Sequence, residues 1–103
     1  MNEYILCSAI WYKEIPLKRV MDGVLPKNCD RGLVVTGHRH GQCMWTMSSL
    51  TGLRSVEEEV GEYIQGFLTN KNRFVDREEG AIIAFDAKQI TEEKKTLFSE
   101  DLY

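Results

Sequence analysis

The sequence predicts an α+β fold, a small mixed or antiparallel sheet packed on one face by two helices, in a single domain over residues 1–103. Three observations predict it. Two stretches rich in β-branched and aromatic residues come early, two segments with helical spacing of apolar residues follow, and a polar turn flanked by extended pieces lies between those segments. A chain of 103 residues is the size of one domain. At that size a fold buries a little over ~60% of the surface its unfolded chain exposes, enough for one core without disulfides.

Taken in order, Glu3 to Tyr12 (EYILCSAIWY) reads as a largely buried first strand. Lys13 to Arg31 holds Pro16, Gly23, Pro26 and Asn28-Cys29-Asp30, the punctuation of a long surface connection, with a short helical turn placed within Leu17 to Val24. Gly32 to Gly37 (GLVVTG) is a second, short strand. Cys43, Met47 and Leu50 recur at i, i+4 and i+7 with Met44 alongside, so a helix of about ten residues follows Gly41. Thr51-Gly52 stops it, because glycine accepts the left-handed conformation that ends many helices. Ser55 and Glu58 have capping-box spacing, though the acidic segment reads equally as a loop. Tyr63 to Thr69 and Arg73 to Val75 are extended pieces around an Asn70-Lys71-Asn72 turn.

Asp76 to Lys88 is the clearest helix. Asp76 can cap the amide of Glu79, and Glu78 and Glu79 suit the positive end of the helix dipole. Ala81, Ile82, Ala84, Phe85 and Ala87 supply its apolar stripe, which Gly80 weakens by up to ~1 kcal/mol relative to alanine. In the tail, Leu97, Phe98, Leu102 and Tyr103 are costly to leave in water, so the tail is expected to dock on its own domain or on a neighbouring subunit. Trp11, Tyr12 and Trp45 read as core or interface aromatics.

Composition narrows function by exclusion. An apolar share of 43% and a charged share of 28% are those of a globular chain rather than a disordered one. Tyr4-Ile5-Leu6-Cys7 follows no basic region and is too short for a signal peptide or a membrane span, which points to the cytoplasm and away from membranes. Cys7, Cys29 and Cys43 are odd in number and lack CxxC spacing, so reduced thiols are expected. Charge is uneven: residues 1–54 carry a net +3 and residues 55–103 a net −6, for a total of −3. A duplex nucleic-acid binder needs a basic surplus for its phosphate contacts, so that class is disfavoured. A small anion held by a few basic groups is compatible with this balance.

Two constellations can carry such chemistry. Gly37-His38-Arg39-His40-Gly41 joins a strand to a helix N-terminus, where free backbone amides and a partial positive charge favour phosphate or carboxylate. Arg39 adds a planar donor fork. The bland alternative is a polar loop whose histidines and arginine stay in water. A zinc site from His38, His40, Cys43 and Cys29 lacks standard spacing, and Cys43 as a nucleophile is more simply a core cysteine in phase with Met47. The second constellation is Asn70 to Arg77. There Phe74 can stack on a base, Asn72 can read its edge, and Arg73 can neutralise phosphate. Arg77 opposes the helix dipole from the first turn, so its head should reach away, to a carboxylate or a ligand. The alternative here is structural, with Phe74 and Val75 in the core and Asp76 a plain cap.

The pieces Ala9 to Lys13, Gly32-Leu33-Val34-Val35, Arg39-His40-x-x-Cys43, Gln65 to Thr69 (QGFLT), Asn72 to Glu79 (NRFVDREE) and Leu97 to Tyr103 (LFSEDLY) together resemble a family of small uncharacterised phage and prophage proteins. Three features depart from the pattern: His38 in place of a basic residue, Gly80 in place of alanine, and an inserted acidic stretch from Ser55 to Glu62. The resemblance implies a phage-borne protein in a host bacterial cytoplasm, and supplies no activity. By analogy, small phage proteins often capture the nucleotide signals of bacterial immunity, such as cyclic ADP-ribose isomers or cyclic oligonucleotides. The leading expectation is therefore a homo-oligomeric sponge for a small nucleotide-like anion, held by Arg39, His40, Asn72, Arg73, Phe74 and Arg77, without cofactor or metal. Its rivals are a hydrolase of such a nucleotide with His40 as general acid or base, and a protein-protein inhibitor that presents its acidic half to a host defence protein.

Overall fold

A computed structural model describes residues 2–103. Four strands, β1 (Ile5–Tyr12), β2 (Leu33–Gly37), β3 (Tyr63–Thr69) and β4 (Phe74–Asp76), form one sheet in the order β2-β1-β3-β4. Every neighbouring pair is antiparallel. The helices are α1 (His40–Thr51), a single turn α2 (Glu57–Val60) and α3 (Arg77–Asp86), followed by a 3-10 turn at Ser99–Asp101. The fold is thus α+β, and no helix among the described residues is long and apolar enough to cross a membrane.

Alternation along the strands divides the apolar residues between the two faces. On one face Ile10, Tyr12 and Val35 meet Cys43 and Met47 of α1, while Phe67 and Val75 meet Ala81 and Ala84 of α3. On the other face Ala9, Trp11, Val34, Ile64, Leu68 and Phe74 have no helix over them. Leu25 and Cys29 of the long connection cover them instead. The Asn28 side chain secures that cover, donating to the carbonyl of Phe74 at 2.7 Å and accepting from its amide at 2.8 Å. The connection consists of turns, and the helical turn expected within Leu17 to Val24 is absent.

Local chemistry fixes the helix ends. Asp76 accepts from the Glu79 amide at 2.8 Å, and Gly52 ends α1 in the left-handed conformation at φ 76°. Ser55 is no cap: Val56 precedes α2, and the Ser55 hydroxyl instead lies 2.7 Å from that of the buried Tyr12.

The helix faces keep Cys43, Met47, Ala81 and Ala84 of the expected stripes but not Leu50, Ile82 or Phe85. α1 buries His40, Cys43 and Met47, while Leu50 is 72% exposed. α3 buries Gly80, Ala81, Ile83 and Ala84, while Ile82 is 63% exposed and Phe85 also faces water. The cause lies at Gly80, where a Cβ would stand 3.0 Å from the Phe67 ring and 3.6 Å from Leu97. The helix lies against the sheet along its glycine and alanine side, because small residues permit the closest approach. Ile82 and Phe85 are turned outward, while Ile83 stays in the core.

The tail docks on its own chain. Leu97 is fully buried beside α3, Leu102 packs on the same cluster, and the Tyr103 hydroxyl donates to the carbonyl of Leu6 at 2.7 Å.

Candidate functional site

At the start of α1 the chain forms a cleft of about 470 Å³, within the size range of small-molecule sites. The turn into α1 contributes His38 through Gln42 and, one turn on, Trp45; α3 contributes Arg77, and the tail contributes Ser99 and Glu100. The α1 N-terminus is shaped by a reciprocal contact in which the Arg39 amide donates to the Gln42 side-chain oxygen at 2.9 Å. The amides of His40 and Gly41, with no carbonyl one turn earlier in the helix, have no acceptor among the described residues.

His40 is the fixed point of the cleft. It is 6% exposed, and its Nε2 lies 2.7 Å from the carbonyl oxygen of Gly66 on β3. A carbonyl only accepts, so Nε2 carries the proton and the Nδ1 lone pair faces the Ser99 hydroxyl, 3.3 Å away. Burial pushes the His40 pKa below its ordinary value, and the positive Arg77 acts in the same direction. The ring is therefore neutral at pH 7. It ties α1 to the sheet and to the tail, and both nitrogens are engaged in doing so.

The two arginines of the cleft both donate to main-chain oxygens of the tail. Arg39 is exposed, and its Nη2 donates to the main-chain oxygen of Tyr103, whose ring lies 4.8 Å from that of His38. Arg77 donates to the Leu97 carbonyl at 2.9 Å and the Gln65 side-chain oxygen at 2.8 Å, with Phe98 stacked 4.7 Å from its guanidinium. Burial pushes the Arg77 pKa down, opposed by the charges of Glu100 and Asp101. No side-chain carboxylate forms an ion pair with either arginine among the described residues. The Arg77 head reaches away from the helix start as expected, but its partners in the chain are Leu97 and Gln65 rather than a side-chain carboxylate, so it holds the tail.

The second constellation lies elsewhere. Arg73 donates to both carboxylate oxygens of Glu3 at 2.8 Å and to Glu79 at 3.0 Å. The Arg73 guanidinium beside Glu3 holds that carboxyl well below its usual range, at about 2. Phe74 is 5% exposed and packs edge-on against Trp11, at 5.8 Å between ring centroids. Asn72 turns the chain at φ 57° and borders a separate hollow with Val34 and Leu68 on the helix-free face. Of the six residues expected to bind, Arg39, His40 and Arg77 share one cleft, and Asn72, Arg73 and Phe74 do not join them. The reason is a long-range charge: Glu3, seventy residues earlier, claims Arg73, and the core claims Phe74.

Four cleft residues lie outside the two constellations read from the sequence. Trp45 was detectable: it stands two positions from both Cys43 and Met47, roughly 200° around the helix from each, and so on the face away from the core. Gln42, Ser99 and Glu100 carry no such signal, because they reach the cleft only through the cap and the docked tail. The histidines and cysteines do not gather as a metal site. His40 is doubly bonded, Cys29 lies on the opposite sheet face, and the Cys43 thiol, pushed up to about 11 by burial, faces the Ser8 carbonyl. Among the described residues no three potential ligands come together.

No curated protein and no solved structure matches the chain. Residues 4–103 match the family model described as Phage T4 y16D protein, and the chain belongs to that family.

Proposed function

We propose that this member of the phage T4 y16D family binds a small nucleotide-like anion in the cleft and holds it without cleaving it, as a sponge for a host defence signal. The observation that carries the reading is the placement of Arg39 and Arg77 on one concavity, neither paired with a side-chain carboxylate among the described residues. Guanidinium groups form their strongest contacts with phosphate and carboxylate oxygens, and the Leu97 carbonyl on Arg77 is a weaker partner that an anion can replace. The free amides of His40 and Gly41 add donors at the positive end of α1. Glu100, the one acidic wall, favours a guest whose charge is confined to one end. The anti-defence role draws its support from membership of a phage family and from no residue of the cleft.

One observation favours hydrolysis as a second reading: neutral His40 directs its Nδ1 lone pair at the Ser99 hydroxyl. Against it, His40 is held on both sides and is nearly buried. Incubation with a cyclic nucleotide, followed by denaturation and chromatography, separates the two. Intact nucleotide recovered from the protein supports sequestration, and a converted product supports catalysis. If no nucleotide raises the melting temperature, the acidic half of the chain as a protein-binding surface is the better account.

A further inference from the structure

We infer that Trp45 is the platform on which the guest's base stacks, so that the cleft takes a nucleoside monophosphate unit: base on Trp45, sugar toward Glu100, phosphate toward Arg39 and Arg77. The inference rests on the anion-binding reading of the same cleft and specifies its ligand.

The two tryptophans make the case. Trp11 is fully employed: its indole N–H donates to the Arg31 carbonyl at 2.7 Å, its ring packs on Phe74, and Lys13 lies 4.8 Å from its face. Trp45 is 71% exposed, and among the described residues its ring meets no other aromatic and its N–H meets no acceptor. Leaving so large an apolar surface in water is unfavourable unless something covers it. On α1 it stands one turn beyond Gly41, above which a Cβ would meet nothing within 4 Å, so the space between the ring and the helix start is open. A planar base can enter there while its phosphate remains within the span of the cleft.

The remaining walls fit the rest of a nucleotide. A bare phosphate would gain nothing from an indole and would be repelled by the Glu100 carboxylate. A ribose hydroxyl donates to such a carboxylate, the contact by which acidic residues select sugars in dinucleotide sites. Aromatic, acidic and doubly basic walls in a cleft of about 470 Å³ match base, sugar and phosphate in turn.

The test is isothermal titration of the full chain with adenosine 5′-monophosphate and with ribose 5-phosphate, which lacks the base. The expected result is that the nucleotide binds roughly tenfold or more tightly than the sugar phosphate, the usual worth of one base-aromatic stack. In Trp45→Ala that advantage should vanish while ribose 5-phosphate binding is unchanged, and Trp45→Phe should restore most of it. Equal affinities in the unaltered protein, or an equal loss for both ligands in Trp45→Ala, overturns the stacking role and leaves the anion reading standing. Binding of neither ligand overturns both. Because Trp45 is exposed, its replacement leaves the core intact, and a melting curve of each variant checks this.

Discussion

The chain enters each of its two long helices through an arginine-bearing turn, at Gly37–Gly41 leading into α1 and at Asn70–Asp76 leading into α3, and the two junctions use their arginines in opposite ways. At the second, Arg73 is the structural pin, clamped by Glu3 and Glu79. At the first, the pin is His40, held by Gly66 and Ser99, and Arg39 beside it is left at the surface. Similar local sequence therefore yields a closed junction and an open one. What decides the outcome is whether a side-chain carboxylate arrives from elsewhere in the chain. The binding potential of an arginine is set by its distant partners more than by its neighbours in sequence.

The contrast can be broken first at its pins. His40→Ala should cost the most, about 2–4 kcal/mol by urea denaturation, because it opens a cavity and leaves the Gly66 carbonyl and Ser99 without their buried partner. A loss below 1 kcal/mol would show that the ring is dispensable. Arg73→Ala should cost about 1–3 kcal/mol, since Glu3, whose side chain is only 15% exposed, then keeps its charge without a partner. It should leave nucleotide affinity unchanged.

The same pair predicts an acid response. The Glu3 pKa is lowered on folding from 4.5 to about 2, so its contribution is fully present above 4.5 and is lost as pH falls toward 2. Glu3→Gln should flatten the stability curve across that window relative to the unaltered protein. A parallel slope in both would assign the acid response to other carboxylates. Arg39→Ala should reverse the pattern of Arg73→Ala: anion affinity falls by more than ~1 kcal/mol, while the melting curve barely moves. Equal loss of folding and binding would make Arg39 a second pin.

The smallest expected effect compares one glycine in each helix. Gly41→Ala enters open space and should stabilise α1 by up to ~1 kcal/mol. Gly80→Ala offers the same backbone gain but brings its Cβ 3.0 Å from the Phe67 ring, so the gain should be cancelled or reversed. Stabilisation of similar size at both positions would mean that α3 shifts freely on the sheet.

How much of this was legible in sequence follows the range of the forces involved. Strand propensity marks β1 through β4 to within a few residues, and short-range hydrogen bonding marks the Asp76 cap and the Gly52 stop. The buried faces of the helices were legible only in part: Cys43, Met47, Ala81 and Ala84 are buried as expected, whereas Leu50, Ile82 and Phe85 are not. In α3 large apolar residues occur all round, and the choice of the Gly80 and Ala84 side comes from how closely the sheet can approach. The cleft was half legible. The turn at Arg39 and His40 announces itself, whereas Ser99 and Glu100 join it from sixty residues away through the burial of Leu97. Arg73 looked available because its carboxylate is at the other end of the chain.

The Ser99 partner of His40, the Tyr103 oxygen on Arg39 and the Leu97 oxygen on Arg77 all belong to one docked segment, the tail. Whatever lifts that segment from α3 releases three side chains at once, while the sheet and the contact of His40 with Gly66 stay in place.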